Sequence, residues 1–144
     1  MSETAVESER VRARVHPVEH FIGGRFQASR ASATFDTLNP TTNEPITQVA
    51  DGDAADIDLA VTAARQAFDE GPWPRLPATQ RAKVLRRIAE LIEGADQEIA
   101  ELETLDTGLP ITQARGQAQR AAQNFRFFAA QIEVLAGQSF STPA

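Results

Sequence analysis

The sequence predicts a mainly α chain, in which four amphipathic helices follow a few short N-terminal β-strands. From Asp53 onward, apolar residues recur at i, i+3 and i+4, the spacing of one helix face. Before that point the apolar residues come in short runs punctuated by Gly, Pro and Asn, which suits brief strands joined by turns. A length of 144 residues with 42% hydrophobic and 24% charged content fits one globular domain, not a disordered chain.

Residues 1–17 are polar, lack a period and end at Pro17, so they are expected to form a flexible N-terminal arm ahead of a structured portion at 18–144. His20–Phe26 reads as a short strand entering a turn at Gly23-Gly24, where one residue needs positive φ. Thr34–Leu38 and Pro45–Ala50 read as two strands around a loop whose turn chemistry comes from Asn39-Pro40 and Asn43. These are few strands for a sheet that must stand alone.

Asp53 is a good N-cap, and Asp56, in the first turn, adds a carboxylate where the helix dipole favours one. Ile57, Ala60, Val61, Ala64 and Phe68 then form one face of a first helix. Gly71-Pro72-Trp73-Pro74 breaks the chain, with Trp73 expected as a packing anchor. Pro77 suits the first turn of a second helix, whose buried stripe is Val84, Leu85, Ile88, Leu91 and Ile92. Gly94 weakens its continuation, and Ile99, Leu102 and Leu105 carry a third helix to Gly108. The fourth, from about Pro110 to Ala136, is expected to bury Ile111, Ala114, Ala118, Phe125, Phe128, Ile132 and Leu135, with Gly137 at its C′ position.

A net charge of −6 argues against a nucleic-acid or anionic-membrane partner, since both call for a surplus of Lys and Arg. Arg81, Lys83, Arg86 and Arg87 share their helix with Glu90 and Glu93 and read as a solvated face. With no Cys, this chain has no disulfide, thiolate metal site or thiol nucleophile. No apolar run approaches the roughly 18 residues of a membrane span. The first sixteen residues mix acids with arginines and lack the apolar core of a signal peptide, so a soluble cytoplasmic protein is expected.

Asp51-Gly-Asp53-Ala-Ala-Asp56 resembles a calcium loop only in part, because the required Gly and Glu positions hold Asp56 and Thr62. His16 and His20 have the spacing of one helix face, but Pro17 between them removes the helix a zinc pair would need. No glycine-rich phosphate motif occurs, and Ser139, Ser141 and Thr142 have no His to serve as a base. Arg120 sits near the apolar face of the fourth helix, one turn before Asn124 and Phe125; by its position alone it is a snorkelling or ion-paired residue.

Four stretches carry a resemblance: F-I-G-G-R-F at 21–26, T-L-N-P-T-T-N-E-P-I at 37–46, A-E-L-E-T-L-D-T-G-L-P at 100–110 and R-A-A-Q-N-F-R-F-F-A at 120–129. Together, in register from about His20 to Gly137, they resemble the N-terminal part of the NAD(P)-dependent aldehyde dehydrogenases. The resemblance implies a segment of an α/β fold whose chains are several times longer. In that family a cysteine thiolate attacks the aldehyde, hydride passes to NAD(P), and a Glu-activated water releases the acid. The cysteine, the glutamate and the dinucleotide-binding region all belong downstream of the matched segment. NAD or NADP is therefore expected in the full-length parent, with none bound by this segment alone and no catalytic residue here.

The resemblance also assigns roles to individual residues. The fourth helix lines the family's substrate tunnel, and the wording around Arg120 looks most like the subgroup that oxidises acidic semialdehydes from aromatic-ring cleavage. Arg120 would then grip a substrate carboxylate, with Gln117 one turn earlier as its neighbour. Thr37 and Asp106 match positions whose backbone carbonyls help hold a structural monovalent cation. The expected partner is the remainder of the dehydrogenase or a homo-oligomer of it. The alternative is a non-enzymatic helical module, derived from the family, that acts through protein contacts.

Overall fold

Two β-hairpins precede four helices in the computed structural model, which describes residues 10–12 and 14–137. Residues 1–9 of the expected arm, and the hydroxyls of Ser139, Ser141 and Thr142, lie outside the described residues. The first hairpin pairs β1 (His20–Ile22) with β2 (Arg25–Gln27), antiparallel, with Phe21 opposite Phe26. The expected single strand is thus two. Both glycines, not one, take positive φ (61° at Gly23 and 83° at Gly24). A two-residue turn whose twist matches its strands requires this of both central residues.

The second hairpin pairs β3 (Thr34–Leu38) with β4 (Pro45–Ala50), from Thr34 opposite Ala50 to Thr37 opposite Thr47, with an irregularity after Thr37. Asn39 is buried and organises the connecting loop. Its side-chain oxygen accepts from the Thr41 N–H at 2.9 Å, and its carbonyl accepts from the Asn43 N–H at 2.7 Å. Asn43 adopts φ 59°, a left-handed conformation that asparagine tolerates better than most residues. Val18 extends this sheet by one bridge beside Val49. It donates to the Gln48 carbonyl and accepts from the Ala50 N–H, both at 2.8 Å.

Helix α1 (Ala54–Asp69) opens on a capping box: the Asp53 carboxylate accepts from Ala55 and Asp56 N–H groups, and Asp56 accepts from the Asp53 N–H. After α1, a 3-10 turn (Trp73–Arg75) lets the Arg75 guanidinium donate to the carbonyls of Asp69, Glu70 and Gly71 at 2.8–3.0 Å. This satisfies the orphan acceptors of the helix end. Gly71 is required there, because a Cβ would lie 2.1 Å from the Ala67 carbonyl oxygen. Trp73 is 42% exposed, so the expected anchor is only half-seated.

Helix α2 (Ala78–Gly94), α3 (Asp96–Thr107) and α4 (Ile111–Val134) make the helical layer, with α4 packed mainly on α2 and also along α3. Pro77 is the N-cap of α2 and Pro110 that of α4. Arg86 pairs with Glu133, and Arg126 with Glu93. Moving seven residues forward on α2 moves seven back on α4, so the two helices run antiparallel. Alanines line the interior of this helical layer: Ala82 and Ala89 on α2, Ala100 on α3, and Ala114, Ala118, Ala122 and Ala129 on α4 are all buried. Small residues let helix backbones approach closely.

Several expected stripes are corrected here. On α4, Phe128 is 60% exposed, Leu135 is 81% exposed and follows the last helical residue, and Gly137 does not take the left-handed C′ conformation. On α2, Val84 and Leu91 face outward, while Leu85, Ile88 and Ile92 are half-buried. On α1 the apolar face is uncovered, with Ile57, Val61 and Phe68 all exposed. In each case the large apolar side chains lost the inward position to alanine, or had nothing to pack on.

Candidate functional site

Two of the sequence-defined stretches, 69 residues apart in the chain, meet between β3 and α3. Thr37 Oγ1 donates to Asp106 Oδ1 at 3.1 Å. Thr37 is held by its strand register opposite Thr47, and Asp106 lies in the last turn of α3. That helix stops at Gly108, which donates its N–H to the Thr104 carbonyl and turns the chain away with a φ of 74°. A Cβ on Gly108 would come within 3.2 Å of Pro40 Cγ, so the loop after β3 rests directly on this turn. Thr107 Oγ1 donates to the Glu103 carbonyl at 2.7 Å and accepts from the Leu109 N–H at 3.2 Å, closing the end of the helix. Among the described residues, no cluster of three or more His, Asp or Glu side chains is placed to hold a metal ion. Any cation at this junction would rely on backbone carbonyls.

Arg120 and Gln117 both stand on the exposed side of α4. At 3.6 residues per turn, Arg120 points about 200° around the helix from the buried Ala118. The expectation that it sits near the buried face is therefore corrected: it shares the outer face with Asn124 and Phe127. Among the described residues no carboxylate lies within ion-pair distance of Arg120, whereas Arg126 on the same helix is held by Glu93 and titrates above the usual arginine range through that hydrogen bond and charge. The ion-paired reading of Arg120 thus finds no partner here.

A third group of interacting side chains forms around Asp56, which is 3% exposed. Burial opposes its ionisation, but donors outweigh it: the Asp53 N–H at 3.2 Å, the Arg30 N–H at 3.1 Å and the Ser29 hydroxyl at 3.1 Å. With His20 Nε2 3.9 Å away, the carboxyl titrates below the ordinary aspartate range. The sequence identifies Asp56 as a helix-start acid. Its tie to residues 29–30 carries no local signal, because the partners are 26 and 27 residues away.

Ser29, Asp56 and His20 do not form a nucleophile–base set. The carboxylate sits between the other two, so no base faces the hydroxyl. Nor do the described residues form a dinucleotide cradle. The N-terminus of α1 is occupied by its own Asp53 and Asp56 carboxylates, α3 opens with Asp96 and Glu98, and no glycine-rich loop leads into any of the four helices. The residues present do not fit a pyrophosphate.

Comparison with known proteins is consistent over almost the whole chain. The family model described as the aldehyde dehydrogenase family matches residues 26–144. Aldehyde dehydrogenase family 2 member B4 of Arabidopsis thaliana, named as mitochondrial, is 46% identical over 117 residues, 81% of this chain and 22% of that protein. HpcC from Thermus thermophilus superposes with a TM-score of 0.86 at 38% identity, covering 96% of this chain and 27% of that one. The P. syringae indole-3-acetaldehyde dehydrogenase AldA, solved with NAD+ and IAA, gives 0.89 at 33% identity over 99% of this chain and 29% of that one. The chain spans about a quarter of the length of the curated relatives it matches.

Proposed function

The chain belongs to the aldehyde dehydrogenase family, and we propose that it is the N-terminal part of an NAD(P)-dependent enzyme oxidising an acidic semialdehyde to its carboxylic acid. The subgroup we assign is that of 5-carboxymethyl-2-hydroxymuconate semialdehyde dehydrogenase, acting in the cytoplasm in aromatic-compound catabolism. The single observation behind the substrate class is Arg120: exposed, without an ion-pair partner among the described residues, and one turn from Gln117 on the outer face of α4. An arginine left unpaired on a face that also carries the exposed Phe127 suits a carboxylate ligand with an organic body. In this reading Arg120 orients the substrate by its carboxylate, and Gln117 offers an amide beside it. Neither performs the chemistry.

Thr37 and Asp106 are assigned to a structural monovalent cation through their carbonyl oxygens. What supports this is their approach to hydrogen-bond distance across the β3–α3 junction. Dinucleotide binding and the oxidation itself are assigned to parts of the enzyme beyond this segment, which is not catalytic alone. Its partner is that remainder, or further copies of the whole enzyme.

The test is Arg120→Ala in a full-length enzyme carrying this segment. Loss of one hydrogen bond to a charged group is worth about 1.5–3 kcal/mol, or roughly ten- to a hundredfold in kcat/KM for an acidic semialdehyde. A neutral aliphatic aldehyde should lose little. Equal losses for both substrates, with a lowered melting temperature, would show that the arginine is structural.

A further inference from the structure

We infer that residues 10–12 and 14–18 form a strap that clamps α3 to the β3–β4 hairpin, with the Arg14–Glu101 ion pair as its clasp. Val11 is 5% exposed. Among the described residues, it and Leu105 are the only buried apolar side chains larger than alanine, so this polar stretch supplies one of the best-covered side chains in the molecule. A helical turn at residues 10–12 continues into bonds from the Arg14 N–H to the Val11 carbonyl and from the Val15 N–H to the Arg12 carbonyl, both 3.0 Å. Val11 and Val15 thereby line a shallow depression with Glu98 and Leu102 of α3.

The clasp is better built than an ordinary surface pair. Arg14 donates to Glu101 Oε2 at 2.5 Å, while Gln97 donates to the other oxygen at 2.8 Å. The Glu101 side chain is only 12% exposed, so the pair is partly shielded from solvent and both carboxylate oxygens are occupied. Four residues after the clasp, Val18 is locked to β4 by its two backbone hydrogen bonds to Gln48 and Ala50. One short segment therefore holds α3 at one end and the hairpin at the other.

Amide hydrogen exchange on the whole 144-residue chain tests the strap. Arg14→Ala removes the clasp at a side chain that is 55% exposed, so the fold should survive. The Val18 and Ala50 amides, bonded on the far side of the strap, should then exchange at least about threefold faster, since local opening governs such protection. Amides of Ala89 on α2 and Ala118 on α4 should be unchanged. Reversing the pair, with Arg14→Glu and Glu101→Arg together, should restore slow exchange at Val18 and Ala50. Unchanged exchange at those two amides in Arg14→Ala would overturn the strap. So would equal acceleration at Ala89 and Ala118, which marks general destabilisation, or failure of the reversed pair to restore protection.

Discussion

At Asp56, burial alone would favour the neutral acid, yet two backbone N–H groups and the Ser29 hydroxyl hold it ionised. One carboxylate both closes the start of α1 and pins the loop at residues 29–30 to it. Its titration in the folded chain lies below the unfolded aspartate value of about 3.9. The stability it contributes is thus fully present above that value and is lost as pH falls through the folded one. Asp56→Asn should lower Tm, by a gap that is held at about pH 5 and narrows as pH falls below about pH 4. Thermal melts of both chains across that range check it; a gap that widens on acidification would contradict the assignment.

Gly108 poses a backbone question instead. Its φ of 74° and the 3.2 Å approach to Pro40 leave no comfortable place for a methyl group. Gly108→Ala should cost about 1–2 kcal/mol from the left-handed conformation, read as a shift in the denaturant midpoint. The Asp53 N-cap, the first-turn place of Asp56 and the stop at Gly108 are all legible in the sequence, because each is a local signal within three or four residues. The partners of Asp56 in space were not, since nothing near it in the chain announces Ser29.

Among the elements, α4 shows what periodicity conveys and what it leaves open. A helix across this stretch follows from spacing and from the Pro110 start. Which residues on it are fully covered follows only in part: Ala114 and Ala118 are buried as the spacing expects and Phe125 and Ile132 are half-buried, but Phe128 and Leu135 are exposed, and the fold instead buries Ala122 and Ala129. A close helix–helix contact selects small side chains, and hydrophobicity scores undervalue alanine. Ala118→Leu should accordingly destabilise the chain by about 1–3 kcal/mol through overpacking. Phe128→Ala, on the exposed face of the same helix, should stay within about 0.5 kcal/mol. Chemical denaturation of the two variants separates the faces, and the opposite ranking would place the phenylalanine inward. The Arg86–Glu133 and Arg126–Glu93 pairs flank this seam, but as exposed pairs they contribute little each.

At the scale of the molecule, many large apolar side chains stand uncovered, among them Ile57, Val61 and Phe68 on α1, Phe21 and Phe26 on the first hairpin, and Phe127 and Phe128 on α4. Uncovered apolar area of this extent drives association. The purified chain is expected to self-associate in sedimentation and to bind a hydrophobic dye; a clean monomer with a cooperative melt and no dye binding would contradict this. The few short strands already hinted, in the sequence, at a portion of something larger. The meeting of Thr37 with Asp106 could not be read there, because only the family's motifs, not their contact, are written along the chain.

The proposal that this segment shapes substrate approach but performs no oxidation is tested most directly by assaying the purified chain for aldehyde-dependent NADH formation. It has no cysteine, and the starts of α1 and α3 carry carboxylates instead of a phosphate cradle. Groups that act together leave no partial mechanism when they are missing. With NAD+ and either an acidic semialdehyde or a neutral aldehyde, absorbance should not rise above that of a heat-killed control. A reproducible, aldehyde-dependent rise with the purified chain would contradict that division of labour.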